Sequence, residues 1–537
     1  MANKFDELLI RLGTGKWNYL YFISVSVWFF LIPPQSLSGT YIAPTIPYTC
    51  RPPRGVNTTI SEDSCTYFVN TSSGSDEVMP CTDWDFDTSV FSSTLTSEFQ
   101  LVCDRGYLRA TYQSMMMFGS FFSPIIGGFL ADRLGRRLVV IVTLSLFTVV
   151  SSCISFLSDF TAILAFRFVL GCVNLPTFYI LAMEVCEPKM RSFVGVLTAL
   201  PWAAGTMAWG GVAYLIRDWR TLQLVVSLPN LVIFPALYLM DESPRWLIIR
   251  GKHEQALATL KKAARWNGAT LPPEDDLRRT MRDIEAETTS STEKGEVKSK
   301  NGYLKSLVKF AFILCKTRKV TLITVIMFVD NLIGALVYYG ISLSGTSFSA
   351  NPFVYMALSG LVEVPSYSVT APIIAKLGRK GPTCIGFLVC GVAILALAFI
   401  PSDVAWLVMT LAMTGKLFIS SAYQIIYVYV TELFPTEVRT TGMGSAVLAS
   451  RIGNVMAPFV TDFLGPWLPW APSVIFGASS LVAAAVTLLL RETRGAPLPD
   501  TIADLETIGK RPESVNECLL DRSRDAADPG ELVTLSH

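Results

Sequence analysis

The sequence predicts an all-α membrane protein of twelve spanning helices in two six-helix halves, on three observations. Of 537 residues, 51% are hydrophobic and only 16% are charged, with a mean hydropathy of +0.45, whereas a soluble chain carries about 25% charge. Apolar runs long enough to cross a bilayer recur twelve times. Charged landmarks between those runs repeat at near-constant spacing. The net charge of +1 offers no basic field for nucleic acid. With His253 and His537 as the only histidines, His-based metal clusters and Ser-His-Asp catalysis are not expected.

A span needs about 20 mostly apolar residues, because its backbone polar groups must be satisfied internally. Residues 1–16 carry Lys4, Arg11 and Lys16 and no cleavage site, so the first run, 17–38, reads as a retained helix. The next five runs are 110–131, 138–158, 160–183, 192–216 and 221–240. Six more follow at 320–343, 353–375, 381–402, 404–430, 441–464 and 463–490. The expected units are therefore a first half over 17–240, a central segment over 241–319, a second half over 320–490 and a tail over 491–537. Basic residues gather on alternate turns (Arg133, Arg136 and Arg137; Lys189 and Arg191; Lys376, Arg379 and Lys380; Arg439; Arg491 and Arg494). The positive-inside rule puts those turns and both termini on the cytoplasmic side, with Arg217 and Arg220 as exceptions.

Two connections are long. Residues 41–105 hold nine acidic and three basic residues, the cysteines Cys50, Cys65, Cys81 and Cys103, and glycosylation sequons at Asn57 and Asn70. This composition suits the oxidising extracellular side, where two disulfides are expected in one of three pairings, rather than free thiols. The other seven cysteines read as small packing residues. Residues 245–319 hold 17 basic and nine acidic residues, with helical spacing over 253–266 and an unstructured linker expected over 287–300.

The repeat is explicit. Leu134-Gly135-Arg136 returns as Leu377-Gly378-Arg379 at an offset of 243; Glu184 and Arg191 return as Glu432 and Arg439 at 248; Glu242 returns as Glu492 at 250. Two parallel six-span halves are the plan of carriers whose site lies at the interface of the halves.

Gly128, Asp132, Arg133, Gly135, Arg136 and Arg137 resemble the signature loop of the major facilitator superfamily. Glu242-Ser243-Pro244-Arg245-Trp246-Leu247, and Glu432-Leu433-Phe434-Pro435-Thr436 with Arg439, resemble the organic cation, anion and zwitterion (carnitine) transporter family within it. The resemblance spans about residues 17–505 and implies the major facilitator fold. It further implies that Asp132, Arg133, Arg136, Glu184 and Arg191 in one half, with Glu432 and Arg439 in the other, form a cytoplasmic charge network. That network closes the inner gate and breaks on inward opening.

Ionisable groups inside spans cost about 2.5–3.5 kcal/mol each and are functional candidates by default. Six occur: Arg167, Asp330, Glu363, Lys416, Arg451 and Asp462. Arg167 and Asp462 lie away from the family's pocket motifs and are read as pairing within the bundle. By resemblance, Glu363 takes the family's acidic position on span eight, with Tyr367 one turn on. Lys416 takes a position basic across much of the family, and Arg451 the position where anion and zwitterion branches carry Arg and the cation branch Asp. A guanidinium in a low-dielectric cavity suits a substrate carboxylate, unless Asp462 ties it up. Tyr338, Tyr339, Tyr423 and Tyr427 offer aromatic faces for a cationic part, and Gln35, after Pro33-Pro34, a polar contact at a broken helix.

These residues point to a plasma-membrane carrier of a small organic ion, zwitterion or anion before cation. A polyspecific organic cation transporter is the alternative, and a non-transporting receptor or a channel a more distant one. No cofactor is implied, and coupling to sodium or protons stays open. Gly13-Thr14-Gly15-Lys16 lacks the first glycine and the following Ser or Thr of a nucleotide-binding loop, and no catalytic constellation is visible.

Overall fold

Apolar length decides most of the helices. The computed structural model describes residues 4–53, 58–61, 64–70, 76–174, 176–295, 313–348, 351–401, 404–496 and 499–507. Among these, eight helices are long and apolar enough to cross a membrane: Cys103–Leu134, Arg136–Phe156, Phe160–Glu184, Pro188–Leu215, Trp219–Leu239, Arg318–Leu343, Lys380–Leu397 and Ala405–Leu433. The other four expected spans are helical but shorter, more polar or interrupted. Lys16–Leu31 stops where Pro33 and Pro34 withhold backbone donors, then restarts as Pro33–Ser36 and Gly39–Ile42. Pro352–Leu377 contains Pro365 and Pro372, Arg439–Pro458 runs into a wider turn over Phe459–Leu464, and Ala471–Thr487 closes the set. The fourth span breaks between Val173 and Thr177, at Pro176.

The repeat has a physical basis at corresponding turns. The Glu242 carboxylate accepts the backbone N–H of Arg136 (2.8 Å) and Arg137, and the Glu492 carboxylate accepts those of Arg379 (2.9 Å) and Lys380. Each acid thus holds the N-terminus of a span in its own half, the third for Glu242 and the ninth for Glu492, where orphan donors and the helix dipole favour negative charge. Gly135 and Gly378 have φ of +101° and +86°, and a Cβ on either would sit 2.4–2.5 Å from the acid. Only glycine meets both conditions.

The long first loop is built mainly on strands, with a helical turn at Leu95–Glu98. Tyr48–Cys50 pairs antiparallel with Trp84–Phe86, and Thr58–Ile60, Thr66–Asn70 and Asp76–Pro80 form a second sheet in that order. Cys50 bonds Cys81, and Cys65 bonds Cys103, which selects one of the three pairings. Asn70 ends a strand; Asn57 lies outside the described residues. Arg220, exceptional by the charge rule, is ion-paired to Glu98 of this loop, and Arg217 lies over the rings of Tyr214 and Phe353.

At the opposite end, Pro244–Ile249, His253–Asn267 and Glu274–Gly295 form a helical insert. The stretch expected to be an unstructured linker is helical as far as Gly295, because the helix begun at Glu274 meets no Pro or Gly before that point; 296–300 lie outside the described residues. A short N-terminal helix, Lys4–Leu12, buries Phe5, Leu8, Leu9 and Leu12 in the same core as Leu257, Leu260, Leu277 and Met281 of the insert.

Buried apolar residues form two main cores, one per half. The first also takes in Leu343, Phe353 and Met356 of the second half, at the end that carries the disulfide-bonded loop. There the Tyr41 ring stacks on Phe353 at 5.3 Å, its hydroxyl donates to the Pro352 carbonyl, and Phe91 and Tyr214 pack on the same ring.

Candidate functional site

Spans seven, eight and ten bring one charged pair and a set of tyrosines together near mid-span. Lys416 Nζ lies 2.8 Å from Glu363 Oε1, with both side chains at most 1% exposed. The Tyr338 hydroxyl donates to the same oxygen at 2.6 Å, and Lys416 also donates to Ser342 Oγ and sits 3.4 Å above the Tyr338 ring. Tyr423 stacks on Tyr338 at 5.9 Å and meets Tyr427 edge-on; Tyr339 meets Tyr338 edge-on, and Tyr367 lies against Tyr338 and Glu363. Tyr427 is the most open of these, at 41% exposure. Glu363 Oε2 has no hydrogen-bond partner among the described residues.

Arg451, on span eleven, is placed differently. Its Nη1 donates to Ser120 Oγ of span two at 3.3 Å, across the interface of the halves, and no described carboxylate lies within ion-pair distance of it. Asp462 does not tie it up. That residue's backbone carbonyl instead accepts from Arg109 of span two at 3.3 Å. Arg167 and Asp462 do not pair with each other either: both Nη atoms of Arg167 donate to the Gln35 carbonyl, over the Tyr112 ring, inside the first half. Gln35 itself is fully buried, with its side chain bonded to Ser227 and Gln223, so the structure does not bring it to the tyrosine cluster. Asp330 is also fully buried and accepts from Thr487.

The expected gate residues divide by half. Arg136 pairs with Asp132 (3.0 Å) and Glu184 (3.3 Å), and Arg379 pairs with Glu432 (2.7 Å), which also accepts from Thr493. Arg191 reaches Asp6 of the N-terminal helix rather than Glu184, and Arg439 donates to Thr436 and the Phe434 carbonyl rather than to Glu432. Arg136 and Arg379, at the N-terminal ends of the third and ninth spans, occupy the glutamates instead. Arg133 lies over the Phe129 ring. The described hydrogen bonds that cross between halves all lie from mid-span to the loop end: Tyr41 to Pro352, Arg109 to Asp462, Ser114 to Val455, Arg451 to Ser120, and the Trp202 indole N–H to the Tyr338 hydroxyl at 2.9 Å.

Several of these partners carry no sequence signal of their own. Trp202 and Ser120 are uncharged within apolar runs, and Arg109 falls one residue outside the run expected to span although the helix begins at Tyr107.

The sugar (and other) transporter family model matches residues 83–501. Solute carrier family 22 member 13 of Homo sapiens is 34% identical over 84% of this chain and 78% of its own length. The organic cation transporter protein of Drosophila melanogaster is 32% identical over 82% and 78%, and solute carrier family 22 member 6 of Oryctolagus cuniculus 30% over 94% of each. The chain belongs to solute carrier family 22. This is a transporter family and not an enzyme family, and its members are multi-pass membrane proteins. In fold, the inward-open xylose transporter XylE from E. coli aligns over 91% of this chain and 98% of its own, with a TM-score of 0.62 at 16% identity. The two-half, twelve-span architecture of this family 22 member is that major facilitator fold.

Proposed function

We propose that this protein is a plasma-membrane secondary carrier of small organic ions, working by alternating access, that prefers a zwitterion or organic anion of carnitine-like or amino-acid-derived type. The observation that carries the reading is the charge balance at mid-span. Glu363 and Lys416 neutralise each other, whereas among the described residues Arg451 donates to a hydroxyl and pairs with no carboxylate. A substrate carboxylate would take paired, charge-assisted hydrogen bonds from that guanidinium. Tyr338, Tyr339, Tyr367, Tyr423 and Tyr427 would face the remainder of the substrate, an ammonium included. The disulfide-bonded loop, with its sequons at Asn57 and Asn70, faces outward and is glycosylated; both termini are cytoplasmic. Asp132, Arg133, Arg136, Glu184 and Arg191, with Glu432 and Arg439, form the inner gate, each set held within its own half while the halves meet at the loop end.

A polyspecific organic cation transporter is the second reading, favoured by the unpartnered Glu363 Oε2 beside the tyrosines and by relatives named organic cation transporters in Drosophila melanogaster and Caenorhabditis elegans. Uptake of radiolabelled L-carnitine against tetraethylammonium separates the two. Arg451→Ala is expected to cut carnitine uptake at least tenfold and leave tetraethylammonium uptake unchanged; intact carnitine uptake in that variant overturns the assignment. Replacing external sodium with N-methylglucamine in the same assay reads sodium coupling.

A further inference from the structure

We infer that Ser120 sets the charge selectivity of the site, a conclusion that rests on the reading of Arg451 as the carboxylate-binding residue. Spans two and eight are repeat copies in continuous register. Their ends match at Leu134-Gly135-Arg136 and Leu377-Gly378-Arg379, where Arg136 and Arg379 even donate to corresponding carbonyls, of Ala131 and Ile374. At the same offset of 243, buried Tyr112 corresponds to buried Tyr355, buried Ser123 to buried Ser366, and Ser120 to Glu363.

The two copies perform parallel tasks with different chemistry. Glu363 offers a carboxylate to the buried cation Lys416 and cancels its charge. Ser120, 2% exposed, donates its own proton to the Met117 carbonyl at 2.7 Å, which leaves an oxygen lone pair for Arg451. The hydroxyl accepts from the guanidinium and leaves its charge intact, so Arg451 presents an uncancelled positive charge to a substrate. A carboxylate at position 120 would repeat the Glu363–Lys416 arrangement on Arg451, and an anionic substrate would then compete against a covalently tethered acid. Ser120 therefore acts on the substrate through Arg451, by being uncharged where span eight carries an acid.

The test compares Ser120→Asp with Ser120→Asn, which match in size and differ in charge. Uptake of radiolabelled benzoate, L-carnitine and tetraethylammonium is measured per surface-biotinylated molecule, beside Ser120→Ala and Arg451→Ala. The expected result is that Ser120→Asp lowers the ratio of benzoate to tetraethylammonium uptake at least tenfold, while Ser120→Asn and Ser120→Ala stay within about threefold of the parent. An unchanged ratio in Ser120→Asp, or an equal fall in Ser120→Asn, overturns the inference. If Ser120→Asp does not reach the surface, Ser120→Glu is judged by the same ratio, and loss of carboxylate preference in Ser120→Ala by itself overturns the inference. Arg451→Ala separates the two levels: if it keeps benzoate and carnitine uptake, the underlying reading fails, whereas if it loses both and Ser120→Asp keeps them, only the role of Ser120 fails.

Discussion

Lys416 and Glu363 form the most enclosed ion pair among the described residues, and its energetics are asymmetric. Mutual attraction in a buried site does little more than offset the desolvation of two ions, whereas deleting one partner strands the other and costs about 3–5 kcal/mol. Lys416→Ala is expected to lower the thermal unfolding temperature of the purified protein sharply, and Glu363→Gln combined with Lys416→Met to recover most of the loss. The single change also removes the contacts of Lys416 with the Tyr338 ring and the Ser342 hydroxyl, so the double variant is the informative one. Glu363 and Lys416 were each visible in the sequence as charges within apolar runs. Their pairing was not, because it depends on which faces of spans eight and ten turn toward each other, and a run that is apolar all round does not record its own rotation. For the same reason the sequence left Arg451 with Asp462 as an open partner, and the structure gives it Ser120 instead.

At the scale of single elements, the third and ninth spans are fastened by an acid from a distant turn. Desolvation acts to raise the pKa of Glu492, but the backbone N–H groups of Arg379, Arg494, Thr493 and Lys380 together outweigh it and hold it below the ordinary value of 4.5. A carboxyl depressed in the folded state stabilises fully above its ordinary value and loses that contribution as pH falls through the lowered one. Thermal stability of the parent is therefore expected to decline as the pH is taken below 4.5, and Glu492→Gln to show a flatter profile over the same range. Both glutamates and both glycines were legible as a repeat, since spacing survives where side-chain geometry is hidden. The N-terminal helix was not: nine residues of mixed polarity carry too little periodic signal, and only the insert core against Phe5, Leu8 and Leu9 reveals why Lys4–Leu12 folds and why Asp6 is free to capture Arg191.

For the whole molecule, the contacts between halves are concentrated at one end. Cysteines replacing Tyr41 and Phe353, whose rings stack at 5.3 Å, are expected to be bridged by a short bifunctional thiol reagent that arrests uptake in the double variant and leaves uptake by either single variant unchanged. Failure to couple would mean that the resting carrier is open at the loop end. The six-helix halves and their order followed from apolar length and repeat spacing, whereas the sheets and disulfide pairing of the loop rest on short polar strands that no periodicity announces. One of those loop residues, Phe91, packs on Phe353 together with Tyr41 and Tyr214. Parting the halves there wets aromatic surface, and newly hydrated apolar area raises heat capacity. The free energy of opening must then curve with temperature, so the loop-end seal has a temperature at which it is tightest, separate from any limit set by unfolding.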